Sequence, residues 1–272
     1  CGTIFTPGFL KRQGLGLASG RLGKNLSIHP CLATGGMLPG RVTEPWNGVE
    51  QSYCVDEYFD DGFLIESISA PPSMAVFGTP VDTASMREAM SQIHCSTQFG
   101  AALKDSSRGS VREIGGVPIV HYQLNKADEQ LANRALHALA ELQFACGSTI
   151  VSLPVSGLGL LRSPEDLEQL RRTPIAAKRM YFTAHHPLGT AAAGADPKRS
   201  VVNSDLRLHD SENVYVIDGA AVPTALGVNP ITSIATLATR AAFQIAGKPT
   251  PVDEPESASY ATPWGRAASF AA

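Results

Sequence analysis

Apolar and polar positions divide the chain into stretches of different period. Thr6 followed by Pro7 predicts a short helix, with threonine as N-cap and proline at the first turn, where its missing amide costs nothing. Across residues 25–73 the apolar residues come in short runs separated by Gly, Pro and Asn, as in residues 32–38 and 63–69, which is a strand pattern. Residues 82–103 predict a helix capped by Asp82 or Thr83, with Met86, Met90, Ile93 and Phe99 at mostly helical spacing. Residues 109–122 predict a hairpin. Val111-Arg112-Glu113-Ile114 runs into Gly115-Gly116, which tolerates the positive φ of a two-residue turn, and Pro118 sets the return strand at an edge or interrupts its ladder. A helix follows over residues 128–146, with Leu131, Ala135, Leu139 and Leu142 on one face and Gly147 as its stop. Ser163 caps a further helix with Pro164 at N1 and Glu165 and Asp166 in its first turn. Val214-Tyr215-Val216-Ile217 predicts a short strand, and another helix begins at Ile231.

Composition narrows the function classes. With 272 residues there is chain for one large domain or two ordinary ones. Hydrophobic residues at 43% exclude a disordered chain, and a net charge of −3 without a basic stripe excludes an electrostatic nucleic-acid binder. Every apolar run falls short of the roughly 18 residues of a membrane helix. The chain opens on Cys1 without the basic and apolar regions of a signal peptide, so its natural start is expected upstream. Five widely spaced cysteines with no CxxC pair predict buried free thiols in a reducing compartment, the cytoplasm.

Two segments carry candidate chemistry. Val214 to Ile217 deliver Asp218 and Gly219 to a strand end, and Gly227-Val228-Asn229-Pro230 leads into the helix at Ile231, whose free amides suit an electron-poor or anionic group. Upstream lies His185-His186-Pro187-Leu188-Gly189-Thr190, where a histidine can take a hydroxyl proton near neutral pH. Successive side chains of a strand point to opposite faces, which predicts one histidine toward chemistry and the other toward packing, and no metal pair.

Taken together, His186-Pro187-Leu188-Gly189-Thr190, Asp196-Pro197, Ser200-Val201-Val202, Val214 to Asp218 and Pro223-Thr224-Ala225-Leu226-Gly227-Val228-Asn229-Pro230 resemble the C-terminal half of the glucose-methanol-choline (GMC) flavoprotein oxidoreductases. Gly2-Thr3-Ile4-Phe5-Thr6-Pro7 with Gly14-Leu15 resembles that family's second signature, and Leu22-Gly23-Lys24-Asn25-Leu26 with His29-Pro30 resembles the segment after it. Pro45-Trp46-Asn47-Gly48, Gln51-Ser52-Tyr53 and the hairpin resemble the long-chain alcohol oxidase branch. The chain departs from the family at Ala191-Ala192-Ala193-Gly194, where Met-Gly is frequent, and it lacks the N-terminal Gly-x-Gly-x-x-Gly turn that cradles the FAD pyrophosphate. Gly14, Gly16 and Gly20 have the wrong spacing for it.

The resemblance implies an α+β or α/β fold: a partial FAD-binding, Rossmann-like domain plus a substrate domain whose antiparallel sheet is packed by helices. The implied division is a return segment of the FAD-binding domain over 1–24, a substrate-binding domain over 25–175, the C-terminal part of the FAD-binding domain over 176–247, and a mobile tail over 248–272. The implied activity is oxidation of an alcohol, by preference a hydrophobic one, to aldehyde or ketone with hydride transfer to FAD. His186 matches the family's proton-accepting histidine and Asn229 its partner, while Asp218, Gly219, Asn229, Pro230 and Ile231 match cofactor contacts. An N-terminal FAD-binding half is required, and the chain alone is expected to be inactive. A lyase of the same fold with a structural flavin, or a non-catalytic half or remnant that needs a partner chain, stays open at this point.

Overall fold

The computed structural model describes residues 1–74 and 82–250. Its centre is a six-stranded antiparallel sheet in the order β3-β4-β5-β2-β8-β9. These strands are β2 (Cys31–Met37), β3 (Cys54–Val55), β4 (Phe63–Ser67), β5 (Ser96–Leu103), β8 (Ile150–Ser152) and β9 (Leu160–Leu161). A second, three-stranded sheet joins β1 (Lys24–Leu26), β6 (Gly109–Ile114) and β7 (Val117–His121) in the order β1-β6-β7. The hairpin is as its sequence predicts: Gly115 and Gly116 take φ of +58° and +85°, and Pro118 sits on the edge strand β7.

Helix α3 (Lys126–Ala145) covers one face of the large sheet. Asn125 caps it by accepting the Asp128 amide at 2.8 Å, and Gly147 ends it at φ +93°. Its buried stripe of Leu131, Ala135, Leu136 and Leu139 meets Leu32, Phe63, Ile65, Leu103 and Val151, and α4 (Pro164–Arg171) adds Leu167 and Leu170. Below this stripe Gln143 is wholly buried, yet its amide donates to Thr34 Oγ1 at 3.1 Å and accepts from Thr97 Oγ1 at 2.6 Å, so its burial leaves neither end unpaired. A second apolar core gathers Leu10 of α1 (Gly2–Arg12), Val201, Val202, Leu206, Leu208, Val216, Ala220 and Ala241 of α5 (Ile231–Ile245). Ala241 is the single buried residue among those of α5, so this apolar helix leaves most of its surface open.

Four expectations need correction. Residues 82–103 are not one helix: α2 (Thr83–Ser91), capped by Asp82, ends before a 3-10 turn, and Ser96–Leu103 form the strand β5. The run Ala101-Ala102-Leu103 fits either period, and pairing on both sides with β2 and β4 decides for strand. Helix α1 begins at Gly2, which puts Pro7 in its interior. Proline 7 cannot donate to the Thr3 carbonyl, and the Thr190 hydroxyl takes that place at 2.6 Å. Val214-Tyr215-Val216-Ile217 form no strand of either sheet; a single bridge, Tyr215 to Arg207, marks them, because no described strand lies alongside. Of the cysteines, all unpaired, Cys95 is buried and Cys31 partly so, whereas Cys1, Cys54 and Cys146 are exposed. Among the described residues no helix is long and apolar enough to cross a membrane. Most of the expected tail, residues 251–272, lies outside the described residues.

Candidate functional site

The face of the large sheet opposite α3 forms the floor of a cavity of about 500 Å³. Strand alternation sorts the residues: Leu32 and Phe99 turn to the helix side, while Cys31, Ala33 and Gly35 of β2, Glu66 of β4, and Gln98, Gly100 and Ala102 of β5 line the cavity. Small side chains on this floor are what leave the room. At Gly100 an added Cβ would stand 2.6 Å from Ile68 Cδ1 and 3.0 Å from Cys31 Sγ, so glycine there lets both side chains into the cavity wall. Helix α2 supplies Met86 and Met90, so these and Ile93 of the apolar stripe read from the sequence face this cavity, whereas Phe99 packs on the main core. Burial pushes the Cys31 thiol up to about 12, which keeps it protonated and an apolar wall group.

His185 and His186 both line the cavity, against the expectation that they diverge. They lie between the isolated bridges at Thr183 and Leu188, outside any strand, so the alternation rule does not hold for them. His186 is half-buried, and burial, followed by the neighbouring charges of His29 and His185, lowers its pKa from the ordinary 6.5. The imidazole is therefore neutral near pH 7 and able to accept a proton. The rest of the motif anchors it. Gly189 takes φ +91° with Asn25 O only 2.5 Å from where a Cβ would stand, and its amide donates to Gly219 O at 3.1 Å.

Asn229 reaches the cavity through its partners. Its Nδ2 donates to Gln51 Oε1 at 3.0 Å and to Glu66 Oε1 at 2.9 Å, both cavity-lining residues, while its Oδ1 is buried without a partner among the described residues. Glu66 is half-buried, and burial raises its pKa, with the Asn229 and Gln51 hydrogen bonds opposing and the Glu50 charge adding. Asp218 faces α1: Oδ1 caps the turn Gly219–Ala221 through the Ala220 amide at 2.8 Å, and Oδ2 accepts from the Gly2 amide at 3.0 Å and Thr6 Oγ1 at 2.9 Å. Gly219 packs so closely that an added Cβ would lie 3.0 Å from Thr3 Oγ1. Pro230 caps α5 with no side-chain hydrogen bond, which leaves the first-turn amides from Ile231 onward without a capping group.

Sequence reasoning missed three members of this site. His29, quoted only as part of a resemblance, is buried against the His186 carbonyl. Glu66 carried a readable signal, being a lone carboxylate in the apolar run Phe63-Leu64-Ile65, on the opposite face from Phe63 and Ile65. Gln51, likewise quoted only in a resemblance, gave no sign of this role, which depends on a loop meeting Asn229 from 178 residues away.

Residues 105–238 match the family model described as GMC oxidoreductase. The chain carries a GMC oxidoreductase domain. It is 36% identical to an uncharacterised GMC-type oxidoreductase of Mycobacterium tuberculosis, over 91% of this chain and 39% of that protein. It is 26% identical to the long-chain-alcohol oxidase FAO1 of Arabidopsis thaliana, over 88% of this chain and 33% of that protein. The GMC chain thus spans well under half the length of these curated relatives. Among solved structures, pyridoxine 4-oxidase from Mesorbium loti superposes with a TM-score of 0.62 at 19% identity, covering 91% of this chain and 50% of that one. A formate oxidase gives 0.59 at 15%, covering 90% and 53%. At such identities the likeness establishes the mixed α/β fold with antiparallel sheets. GMC oxidoreductases are FAD-dependent enzymes.

Proposed function

We propose that this GMC chain is the substrate-side and C-terminal part of an FAD-dependent alcohol oxidase or dehydrogenase. The carrying observation is His186, neutral and half-buried at a largely apolar cavity whose floor also brings in Glu66 and, through it, Asn229. In this reading His186 Nε2 or Nδ1 accepts the substrate hydroxyl proton. Asn229 orients the substrate oxygen, and Glu66 and Gln51 hold the Asn229 amide so that its rotation is restricted. FAD, when bound, supplies the acceptor for the hydride that leaves the alcohol carbon.

The residues present fit such a group. Asn229 Oδ1 is buried with no described partner, and the first-turn α5 amides from Ile231 onward have no side-chain cap, so an acceptor and a row of donors adjoin along the chain. The positive end of the helix would favour negative charge on a reduced cofactor there. Asp218 and Gly219 would shape the adjoining contact from the turn they cap. The open surface of α5, with Ile231 76% exposed, and Phe5 of α1 at 60% favour a further packed segment, which we identify with an FAD-binding half. On this reading residues 25–175 serve the substrate, and 1–24 and 176–247 the cofactor.

Met37, Ile68, Met86, Met90 and Ile93 around the cavity favour an alcohol with an apolar body. Unpaired thiols favour a reducing, cytoplasmic setting. The test is anaerobic mixing of the FAD-loaded full-length protein with primary alcohols of increasing chain length. Bleaching of the flavin absorption, faster with the longer alcohols, is the expected outcome. A flavin that no alcohol bleaches, in a protein that cleaves a cyanohydrin, would replace this reading with the lyase.

A further inference from the structure

His29 is 1% exposed and sits in the left-handed region at φ +46°, an uncommon conformation for a residue other than glycine. Asp105 holds it: its carboxylate accepts the His29 amide at 3.1 Å, the Ile28 amide at 3.2 Å and the Tyr122 hydroxyl at 2.7 Å. The ring is then used at both ends. Nε2 faces two backbone amides, Leu226 N at 2.9 Å and Gly227 N at 3.1 Å. Both are donors, so Nε2 carries the lone pair and the proton resides on Nδ1. That Nδ1–H donates to the His186 carbonyl at 3.3 Å. The His29 and His186 rings also meet edge to face, with centroids 5.9 Å apart.

One buried ring therefore ties the backbone of residue 186 to the turn two residues before Asn229. We infer that His29, as the neutral Nδ1–H tautomer, is a positioning residue that fixes His186 relative to the Gly227–Asn229 turn. Charging the ring would set a third N–H against Leu226 and Gly227, and burial opposes the charge as well. The charged groups nearest it are Asp105, which favours the cation, and Arg108 and Lys104, which disfavour it. The turn has little slack. Gly227 has φ +83°, and an added Cβ would stand 2.9 Å from the Lys104 side chain.

The consequence for catalysis rests on His186 and Asn229 being the reacting pair. Glutamine at position 29 keeps an acceptor near the Nε2 position and loses the donor to His186, whereas asparagine keeps the donor and loses the acceptor. In the FAD-loaded full-length protein, His29→Gln and His29→Asn should each slow anaerobic flavin reduction by alcohol about 100-fold, with KM changed less than about threefold, as expected for misplaced groups rather than lost binding. Independently of activity, imidazole nitrogen shifts of histidine-labelled protein should show the Nδ1–H tautomer at His29 and a titration displaced below that of an ordinary imidazole. The Leu226 and Gly227 amide shifts should move in His29→Asn and stay in His29→Gln. An Nε2–H tautomer, or a ring titrating freely near 6.5, overturns the inference, as do folded variants with an unchanged rate when His186→Ala is inactive. If His186→Ala itself keeps full activity, the alcohol-oxidation reading fails, and the nitrogen and amide shifts alone decide the role of His29.

Discussion

Replacing Thr190 by valine keeps the side chain's shape and removes its hydroxyl. Thr190 is wholly buried and donates to the Thr3 carbonyl at 2.6 Å, the carbonyl that Pro7 leaves without its helical amide. Thr3 is buried too, so no water stands ready to replace the bond. Leaving such an acceptor unsatisfied costs about 1–3 kcal/mol, and Thr190→Val should destabilise by that amount. Pro7→Ala restores an N–H four residues after Thr3, which can bond the same carbonyl. The valine substitution should therefore cost about 1–2 kcal/mol less in the Pro7→Ala background, within the range seen for residues sharing a partner. Urea unfolding followed by far-UV circular dichroism on the four proteins of this cycle gives the coupling directly. A coupling below about 0.5 kcal/mol, the usual scatter for independent sites, would refute the idea that threonine in this motif substitutes for a helix hydrogen bond.

Gly189→Ala combines a positive φ with the Asn25 carbonyl 2.5 Å from the new Cβ, and should cost at least about 2 kcal/mol. Calorimetry should show Tm lowered by at least about 4 °C, against a smaller loss for Gly40→Ala, where φ is +76° but nothing lies within 4 Å. His29, His137 and His186 all have pKa values lowered from 6.5 with burial as the leading cause, so the unfolded chain binds their protons first and stability falls as pH drops below about 6.5. Denaturant titrations at successive pH values check this, and a flat or rising stability on acidification would sink it. Glu66, raised by burial, gains stability on protonation and opposes this trend, so Glu66→Gln should steepen the acid loss.

How far the sequence could be read depended on whether the signal was local. The hairpin at Gly115-Gly116, the cap at Asp82 and the Leu131-Ala135-Leu139 stripe announce themselves within a few residues, and each is in place. Residues 96–103 carry no such local mark, since their strand identity comes from partners at Cys31–Met37 and Phe63–Ser67. The Pro7 reading failed for the same reason, its compensation arriving from Thr190. At the site, the Asp218 and His186 motifs were legible as residue types. The network that ties them down was not: Asp218 to Thr6, His186 to His29, and Asn229 to Glu66 span 212, 157 and 163 residues. The His185-His186 prediction failed because it assumed a strand where the chain runs irregularly between two bridges.

The account's central claim is that His186 takes the proton of the substrate hydroxyl. Rapid anaerobic mixing of the FAD-loaded full-length protein with alcohol, followed by flavin absorbance, tests it most directly. His186→Ala, with FAD content unchanged, should lower the limiting rate of flavin reduction by about 10²–10⁴-fold, the usual contribution of a general base. In the unsubstituted protein the rate should fall on acidification with an apparent pKa below 6.5. A His186→Ala protein that reduces its flavin at the full rate would contradict the claim.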